Sequence, residues 1–170
     1  MKAFTFAAFL AVILGANWLT NEFGLVTWLG LTATAGTWLA GFAFVARDAL
    51  HEVGGHRWVV AAIVAGALLS VFLSPALALA SGVAFTVSEL ADYAVYAPLR
   101  RRGLIRAALA SNVVGSLVDT VLFLLIAGFP LGGTATQVLI KVGVTTIFVL
   151  GVRHFVPSQP VQPAGGESHA

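Results

Sequence analysis

Four ionisable side chains interrupt otherwise apolar stretches of this sequence, and their types suit the binding of a polar solute. They are Glu89, Asp92, Asp119 and Lys141. A charge within hydrocarbon costs about 3 kcal/mol even on lenient scales, so such residues mark the path of a solute, an ion or a proton. Three carboxylates against one ammonium also leave negative charge without a partner. At least one acid should therefore be protonated, or should face water or a cation.

Polar residues follow helical spacing on each of the three stretches that carry these charges. Residues three, four or seven positions apart share one face of a helix. We therefore expect three polar faces that converge on one polar interior. Small residues within these faces also suit close packing between helices, which is their alternative role. The faces consist of Phe85, Ser88, Glu89, Asp92 and Tyr96; of Asn112, Ser116 and Asp119; and of Gln137, Lys141 and Thr145.

A further group of titratable residues lies in the stretch DALHEVGGHRW, residues 48–58. Zinc-binding H-E-x-x-H motifs place two histidines four residues apart on one helical face, whereas His51 and His56 stand five apart. The Gly-Gly pair between them favours the end of a helix over its continuation. We therefore predict no metal site in this stretch.

Asp48 and Glu52 lie one helical turn apart in the same stretch. Four basic side chains nearby can pair with them, so one interpretation is a solvated cluster of ion pairs at the end of a helix. The other interpretation is a gate or a coupling site at the mouth of a pathway. The sequence leaves both interpretations open.

The elements that must position these residues are membrane-spanning helices. The chain has 170 residues, of which 59% are hydrophobic and only 9% are charged. Soluble domains carry about 25% charged residues, and a water-soluble fold of this size could not bury so much apolar surface. We predict an all-α membrane protein: a single six-transmembrane-helix domain over residues 1–156, with a disordered cytoplasmic tail over 157–170. The apolar runs long enough to cross about 30 Å of hydrocarbon lie near residues 3–20, 23–46, 57–74, 75–99, 104–129 and 134–156.

The basic residues predict how this bundle is oriented, because Lys and Arg gather on the cytoplasmic side of membrane proteins. Lys2, Arg47, Arg57, the cluster at 100–106 and Arg153 all fall on one side of the predicted spans. We therefore expect both termini in the cytoplasm and a multi-pass protein of the inner (plasma) membrane. A cleaved signal peptide in place of the first span is the alternative, and it would leave five spans.

Several phrases of the sequence resemble the VUT family of integral membrane proteins. They are FAFVARDALHEVGG, SELADYAVYAPLRRR and ASNVVGSLVDTVLFLLIAGF, followed by a lysine in the last span. The resemblance covers roughly residues 15–150, although the chain is shorter than is usual in the family. VUT proteins are regarded as transporters of queuosine precursors. The resemblance therefore implies import of a 7-deazaguanine base, such as 7-cyano- or 7-aminomethyl-7-deazaguanine.

This substrate implies specific roles for the residues of the polar faces. The edge of a 7-deazaguanine carries two adjacent N–H donors that one carboxylate can accept, and its carbonyl accepts from an ammonium or an amide. Its flat ring stacks well on aromatic faces. The candidates are Glu89 and Asp119 for the donor edge; Lys141, Asn112 and Gln137 for the carbonyl; Phe85, Tyr93, Phe44 and Phe123 for stacking; and, as further candidates, Asp92 and Asn17, the latter with helix packing as its alternative.

We expect alternating access around this mid-membrane site, with an acid in the fourth or fifth span changing protonation to couple transport to protons. One alternative is a substrate-binding membrane subunit of a vitamin importer that relies on partner ATPases. A second is an intramembrane enzyme with Asp92 and Asp119 as a carboxylate pair, although neither acid lies in the Gly-Asp phrase of intramembrane aspartyl proteases. We predict a small-molecule substrate and the bilayer as partners, with no enzymatic activity, cofactor or nucleic-acid partner; a homo-oligomer is left open.

Overall fold

The computed structural model describes residues 1–99, 101 and 104–155, and most of them are helical. The predicted tail at 157–170, and Arg100 and Arg102 of the basic cluster, lie outside the described residues. The helices are α1 Lys2–Phe23, α2 Thr37–Gly54, α3 His56–Ser70, α4 Pro75–Leu99, α5 Leu104–Ala127 and α6 Thr134–Phe155, with a short 3-10 turn at Leu131–Gly133 before α6.

A β-hairpin replaces the first part of the predicted second span. Its antiparallel strands, β1 Leu25–Trp28 and β2 Leu31–Thr34, pair Leu25 with Thr34 and Trp28 with Leu31. The turn between them has positive φ at both central residues, 52° at Leu29 and 76° at Gly30, as in the turns that match strand twist. β-Branched residues such as Val and Thr favour strands over helices. The predicted helix at 23–46 was therefore wrong before Thr37.

One residue, Gly55, separates α2 from α3. Its φ of 79° lies in the left-handed region that suits glycine, and its N–H donates to the carbonyl of His51 at 2.7 Å. The prediction that the Gly-Gly pair ends a helix is confirmed. The predicted end of the second span at residue 46 was wrong, because α2 continues to Gly54. α3 has 15 residues and is shorter than the predicted span at 57–74.

Within the described residues, three stretches are long and apolar enough to cross a membrane: Lys2–Phe23, Leu109–Ala127 and Leu131–Phe148. α3 is apolar, but its length of about 22 Å is less than the thickness of the hydrocarbon. α2 and α4 carry charged residues that lower their mean hydropathy. The arrangement of six spans with both termini in the cytoplasm stays a prediction.

The packing places apolar side chains outside and many polar ones inside. Leu79, Val83 and Leu90 of α4 are exposed, as are Leu117 and Leu125 of α5. The buried residues, in contrast, include nearly as many polar as apolar side chains. An apolar exterior suits contact with lipid, and the buried polar groups must find partners among the helices. The buried polar residues are Asn17, Thr20, Thr34, Thr37, Ser70, Ser88, Ser111, Asn112, Ser116, Asp119, Thr120, Gln137, Lys141 and Thr145.

Candidate functional site

An ion pair between α5 and α6 forms the centre of the buried polar region. The ammonium of Lys141 lies 2.6 Å from Oδ2 of Asp119 and also donates to the hydroxyl of Thr120 at 3.0 Å. Lys141 is 3% exposed and Asp119 is 7% exposed. Each charge is therefore removed from bulk water and depends on the other for its stability.

Close packing of α2 against α6 holds Lys141 in place. A Cβ atom on Gly41 would lie 2.8 Å from Cβ of Val144, so only glycine permits this approach of the two helices. The hydroxyl of Thr145 lies within hydrogen-bond distance of two backbone oxygens, that of Gly41 at 3.0 Å and that of Lys141 at 2.9 Å. The glycine and the threonine together fix the backbone from which the lysine extends.

Gln137 lies one helical turn before Lys141 and is 1% exposed. Its Oε1 accepts hydrogen bonds from the hydroxyls of Thr37 at 2.9 Å and of Thr34 at 3.2 Å. Its Nε2 is buried and has no hydrogen-bond partner among the residues that the structure describes. A buried donor without a partner is costly, so this atom is suited to an acceptor that the protein itself does not supply.

These residues line a central cavity of about 70 Å³. A cavity of this volume has room for a few water molecules. Phe85 and Phe123 lie in its wall, which combines apolar surface with a small number of polar groups. Such a combination is typical of sites for small molecules. The polar residues of the wall are Asn17, Thr20, Thr34, Thr37, Ser81, Asp119, Gln137 and Lys141.

Asn17 joins three helices at the cavity wall. Its Nδ2 donates to the hydroxyl of Ser70 in α3 at 2.8 Å and to that of Ser81 in α4 at 2.9 Å. The side chain is 3% exposed. Both the proposed binding role and the packing role of Asn17 are compatible with this position, and the packing contacts are the ones present.

Glu89 and Asp92 do not line the central cavity and instead surround Arg47. The guanidinium of Arg47 contacts Glu89 at 2.7 Å, Asp48 at 3.0 Å and Asp92 at 4.0 Å. The second oxygen of Glu89, Oε1, is buried and lacks a hydrogen-bond partner within the described part of the chain. We call these four residues the arginine cluster. The expected single polar interior is therefore divided into two regions.

Three aromatic rings lie where these two regions meet, and we call Phe9, Phe44 and Phe85 the aromatic layer. The ring of Phe85 lies 5.6 Å from that of Phe9 and 5.5 Å from that of Phe44. On α2, Phe44 lies between the cavity wall and Arg47, whose guanidinium is 5.8 Å from the Phe44 ring. On α4, Phe85 lies one turn before Glu89. The aromatic layer thus adjoins the cavity through Phe85, one helical turn from Glu89 of the arginine cluster.

The remaining candidates lie elsewhere. Tyr93 is 69% exposed, so its ring is far from a buried site. Asn112 is buried but outside the cavity wall, and its Oδ1 accepts a hydrogen bond from Ser116 at 3.4 Å. Glu52 is exposed near the end of α2. His51 and His56 stand on different helices with 6.3 Å between their ring centroids.

Several residues of the site were missed in the sequence. Thr34 and Thr37 hold the amide of Gln137, and Thr120 shares the ammonium of Lys141. The threonines carry no charge, and two of them lie in the segment that was predicted to be one uniform helix. Thr120 follows Asp119 directly, which is the one signal that could have drawn attention to it.

Comparison with known proteins finds a family match for the last three helices. Residues 72–155 match the family described as "Putative vitamin uptake transporter". This stretch covers α4, α5 and α6 and so includes Asp119, Gln137 and Lys141. Neither a curated protein nor a solved structure matches the chain. The match over residues 72–155 supports the assignment of the chain to the VUT family of membrane transporters, a class whose members carry small molecules across a lipid bilayer.

Proposed function

We propose that this protein imports a small planar solute, which it holds in the central cavity between Asp119, Lys141 and Gln137. The observation that carries the proposal is the buried Lys141–Asp119 ion pair beside an amide donor without a partner. Buried charges of this kind are expensive in a membrane and persist where they have a task. Their position on a shared cavity wall suits the binding of a solute in transit.

A 7-deazaguanine base, the substrate implied by the VUT resemblance, matches the chemistry of this wall. The carboxylate of Asp119 can accept the two adjacent N–H donors of the base, and Gln137 and Lys141 can donate to its carbonyl. Phe85 and Phe123 offer aromatic faces for the ring. Unmatched buried groups would disfavour a pyrimidine. The proposed cargo is therefore a queuosine precursor, imported across the inner membrane.

The cavity must widen during transport. Its volume of about 70 Å³ is small beside the roughly 300–1,000 Å³ of ordinary ligand pockets, so helices must separate to admit a base. We propose that the aromatic layer and the arginine cluster close one end of the cavity. We assign them to the closure on the cytoplasmic side, because Arg47 lies on the side that the basic residues predict to be cytoplasmic. Separation of Arg47 from Glu89 would accompany opening towards the cytoplasm.

Proton coupling is part of the proposal. The arginine cluster holds three carboxylates against one guanidinium, and one oxygen of Glu89 is buried without a partner in the described structure. Protonation of a carboxylate would weaken the cluster and favour its opening. Unchanged accumulation of labelled base after collapse of the proton gradient would contradict coupling and leave facilitated diffusion.

Uptake by purified protein in proteoliposomes tests the proposed function. We expect accumulation of labelled 7-aminomethyl-7-deazaguanine by the wild-type protein and its loss in Asp119→Asn. Glu22→Gln is the matched control, because Glu22 is an exposed carboxylate at the end of α1. Normal uptake by a correctly inserted Asp119→Asn variant would remove Asp119 from the site. Uptake that required added ATPase partners would support the importer-subunit alternative instead.

A further inference from the structure

We infer that the outer face of α3 is a binding site for an anionic phospholipid of the cytoplasmic leaflet. The phosphate of the lipid would lie against His56 and Arg57, and one acyl chain would follow the helix away from them. The site lies on the surface of the bundle, outside the central cavity. The inference therefore does not depend on the identity of the cargo.

The exposed face of α3 forms a shallow groove that changes from basic to apolar along the helix. His56 and Arg57 lie at its first turn. The distance from Arg57 to Leu68 along the helix axis is about 16 Å, close to half of the roughly 30 Å of bilayer hydrocarbon. The groove therefore has the length of one acyl chain in one leaflet. Its apolar part is lined by exposed side chains that include Val60, Ala61, Val64 and Leu68.

Arg57 is available to an anion. It is exposed, and its guanidinium forms no ion pair or hydrogen bond with the residues that the structure describes. Of the carboxylates near the end of α2, Asp48 is paired with Arg47, and Glu52 makes no ion pair with Arg57. α3 also begins at Gly55 without a side-chain cap, so its first N–H groups and its dipole favour a negative group at the same end.

The depth of this end of α3 suits a lipid headgroup. Trp58, the next residue after Arg57, is 41% exposed, and tryptophan is enriched at the membrane–water interface. The distribution of basic residues predicts that this end faces the cytoplasm, where the leaflet carries anionic lipid. A basic group at headgroup level above an exposed apolar groove therefore matches an anionic phospholipid in both of its parts.

A second copy of the chain is the other occupant to which this face could offer a surface, since small and apolar residues also pack helix against helix in membranes. Two copies related by an axis normal to the membrane would place α3 beside α3 in parallel. The Arg57 guanidinium of each copy would then approach that of the other, and like charges oppose such a contact. An anionic headgroup instead neutralises the charge.

Fluorescence quenching by lipids that carry a nitroxide on an acyl chain tests the site locally. The chain contains no cysteine, so Val64→Cys places one fluorophore in the groove. The labelled protein is reconstituted in nanodiscs of phosphatidylcholine and phosphatidylglycerol, with the nitroxide on one lipid or the other. We expect the groove to prefer phosphatidylglycerol about fivefold, as one basic side chain beside an anionic lipid implies. The same fluorophore at Leu117→Cys, an exposed position on α5, should show no preference.

Substitutions of arginine separate a built site from general attraction. In the Val64→Cys protein, Arg57→Gln should reduce the preference to less than about twofold, whereas Arg57→Lys keeps the charge and should retain most of it. Arg101→Gln is the matched control, because Arg101 is another exposed arginine that does not line the groove. It should leave the preference at the groove unchanged.

Three results would overturn the inference. They are an equal preference at Val64→Cys and Leu117→Cys, a preference at the groove that persists in Arg57→Gln, and a fluorophore at Val64→Cys that neither lipid quenches. The last result would mean that protein covers this face and would favour the second copy. Because no solute is present in the measurement, failure of the proposed function would leave its result unchanged.

Discussion

The Lys141 ammonium and the Asp119 carboxylate share one buried contact of 2.6 Å. Removing one partner and removing both should differ in their effect on stability, but not in their effect on transport. Removal of one partner leaves an isolated charge inside the protein, which typically costs about 3–5 kcal/mol. Removal of both partners leaves no charge to solvate. Stability should therefore recover in the double variant, whereas binding of the solute should not.

We expect Lys141→Met and Asp119→Leu each to lower the free energy of unfolding in detergent by about 3 kcal/mol, because each strands a buried charge. The double variant should be destabilised by less than either single variant. Equilibrium unfolding monitored by tryptophan fluorescence measures these differences. All three variants should lose uptake of the base. Additive losses in the double variant would show that the two residues do not stabilise each other.

Sequence reasoning found the charged and amide residues of the cavity wall but neither its threonines nor the division of the charges between two regions. Asp119, Gln137 and Lys141 were predicted, because their depth and helical spacing are visible in the sequence. Glu89 shares its helical face with Phe85, and the prediction placed both in one interior. Spacing along a helix cannot reveal which neighbour a long side chain will reach. Arg47 extends from α2 to Glu89 and so draws the carboxylate away from the cavity.

At the scale of the helices, the contact between α2 and α6 depends on Gly41. A methyl group there would press on Val144 and on the backbone of Lys141, which lies 3.3 Å from the same Cβ position. We expect Gly41→Ala to lower the midpoint of thermal unfolding, because the helices must separate. Gly143→Ala is the matched control on α6, since nothing lies within 4 Å of its Cβ position.

The control should have the opposite sign. Alanine is favoured over glycine inside a helix by about 0.5–1 kcal/mol, so Gly143→Ala should raise the unfolding midpoint slightly. Differential scanning fluorimetry of the two variants measures both changes. Equal and small effects at the two positions would mean that α2 and α6 have space to adjust at Gly41.

The aromatic layer and the arginine cluster make a second prediction at the scale of elements. The chain contains no cysteine, so one introduced thiol reports access to the cavity without background. Ala43 lies in the cavity wall and is 4% exposed. We expect the thiol of Ala43→Cys to react slowly with a maleimide added from the cytoplasmic side. Replacing Arg47 with Gln should speed the reaction about tenfold, as loss of a charged hydrogen bond of about 1.5 kcal/mol implies.

Arg57→Gln is the control for this experiment, because Arg57 is an exposed arginine near the same end of the helices. It should leave the labelling rate of the Ala43→Cys thiol unchanged. A rate that is the same in Arg47→Gln and in the parent variant would mean that the arginine cluster does not hold the cavity closed.

The hairpin shows the limit of element prediction from this sequence. Leu25, Val26 and Trp28 are as apolar as a membrane helix, and a hydropathy window does not distinguish a buried helix from a short hairpin. The signals that favoured strands were the β-branched residues and Gly30 at the turn. These strand signals were few within a long apolar run, so the whole run was predicted to be one helix. The Gly-Gly pair was a stronger signal and correctly predicted that a helix ends there, although the predicted second span stopped at residue 46.

At the scale of the whole molecule, the distribution of basic residues predicts sidedness. Single cysteines at exposed positions test it in sealed vesicles of known orientation. We expect Lys2→Cys and Glu52→Cys to react with an impermeant maleimide from the cytoplasmic face. Glu22→Cys and Gly132→Cys should react from the opposite face. Labelling of Lys2→Cys and Glu22→Cys from the same side would contradict the prediction that α1 crosses the membrane.

The hairpin should also report whether a ligand occupies the cavity. Thr34, the last residue of β2, donates to the same Gln137 oxygen that Thr37 contacts. A ligand that changes the electron distribution of that amide should therefore change its hydrogen bond with Thr34, at the base of the hairpin. Backbone deuterium uptake by Leu25–Thr34 should therefore slow when a ligand occupies the cavity. Occupancy could then be followed by mass spectrometry in unmodified protein, without a label on either the ligand or the chain.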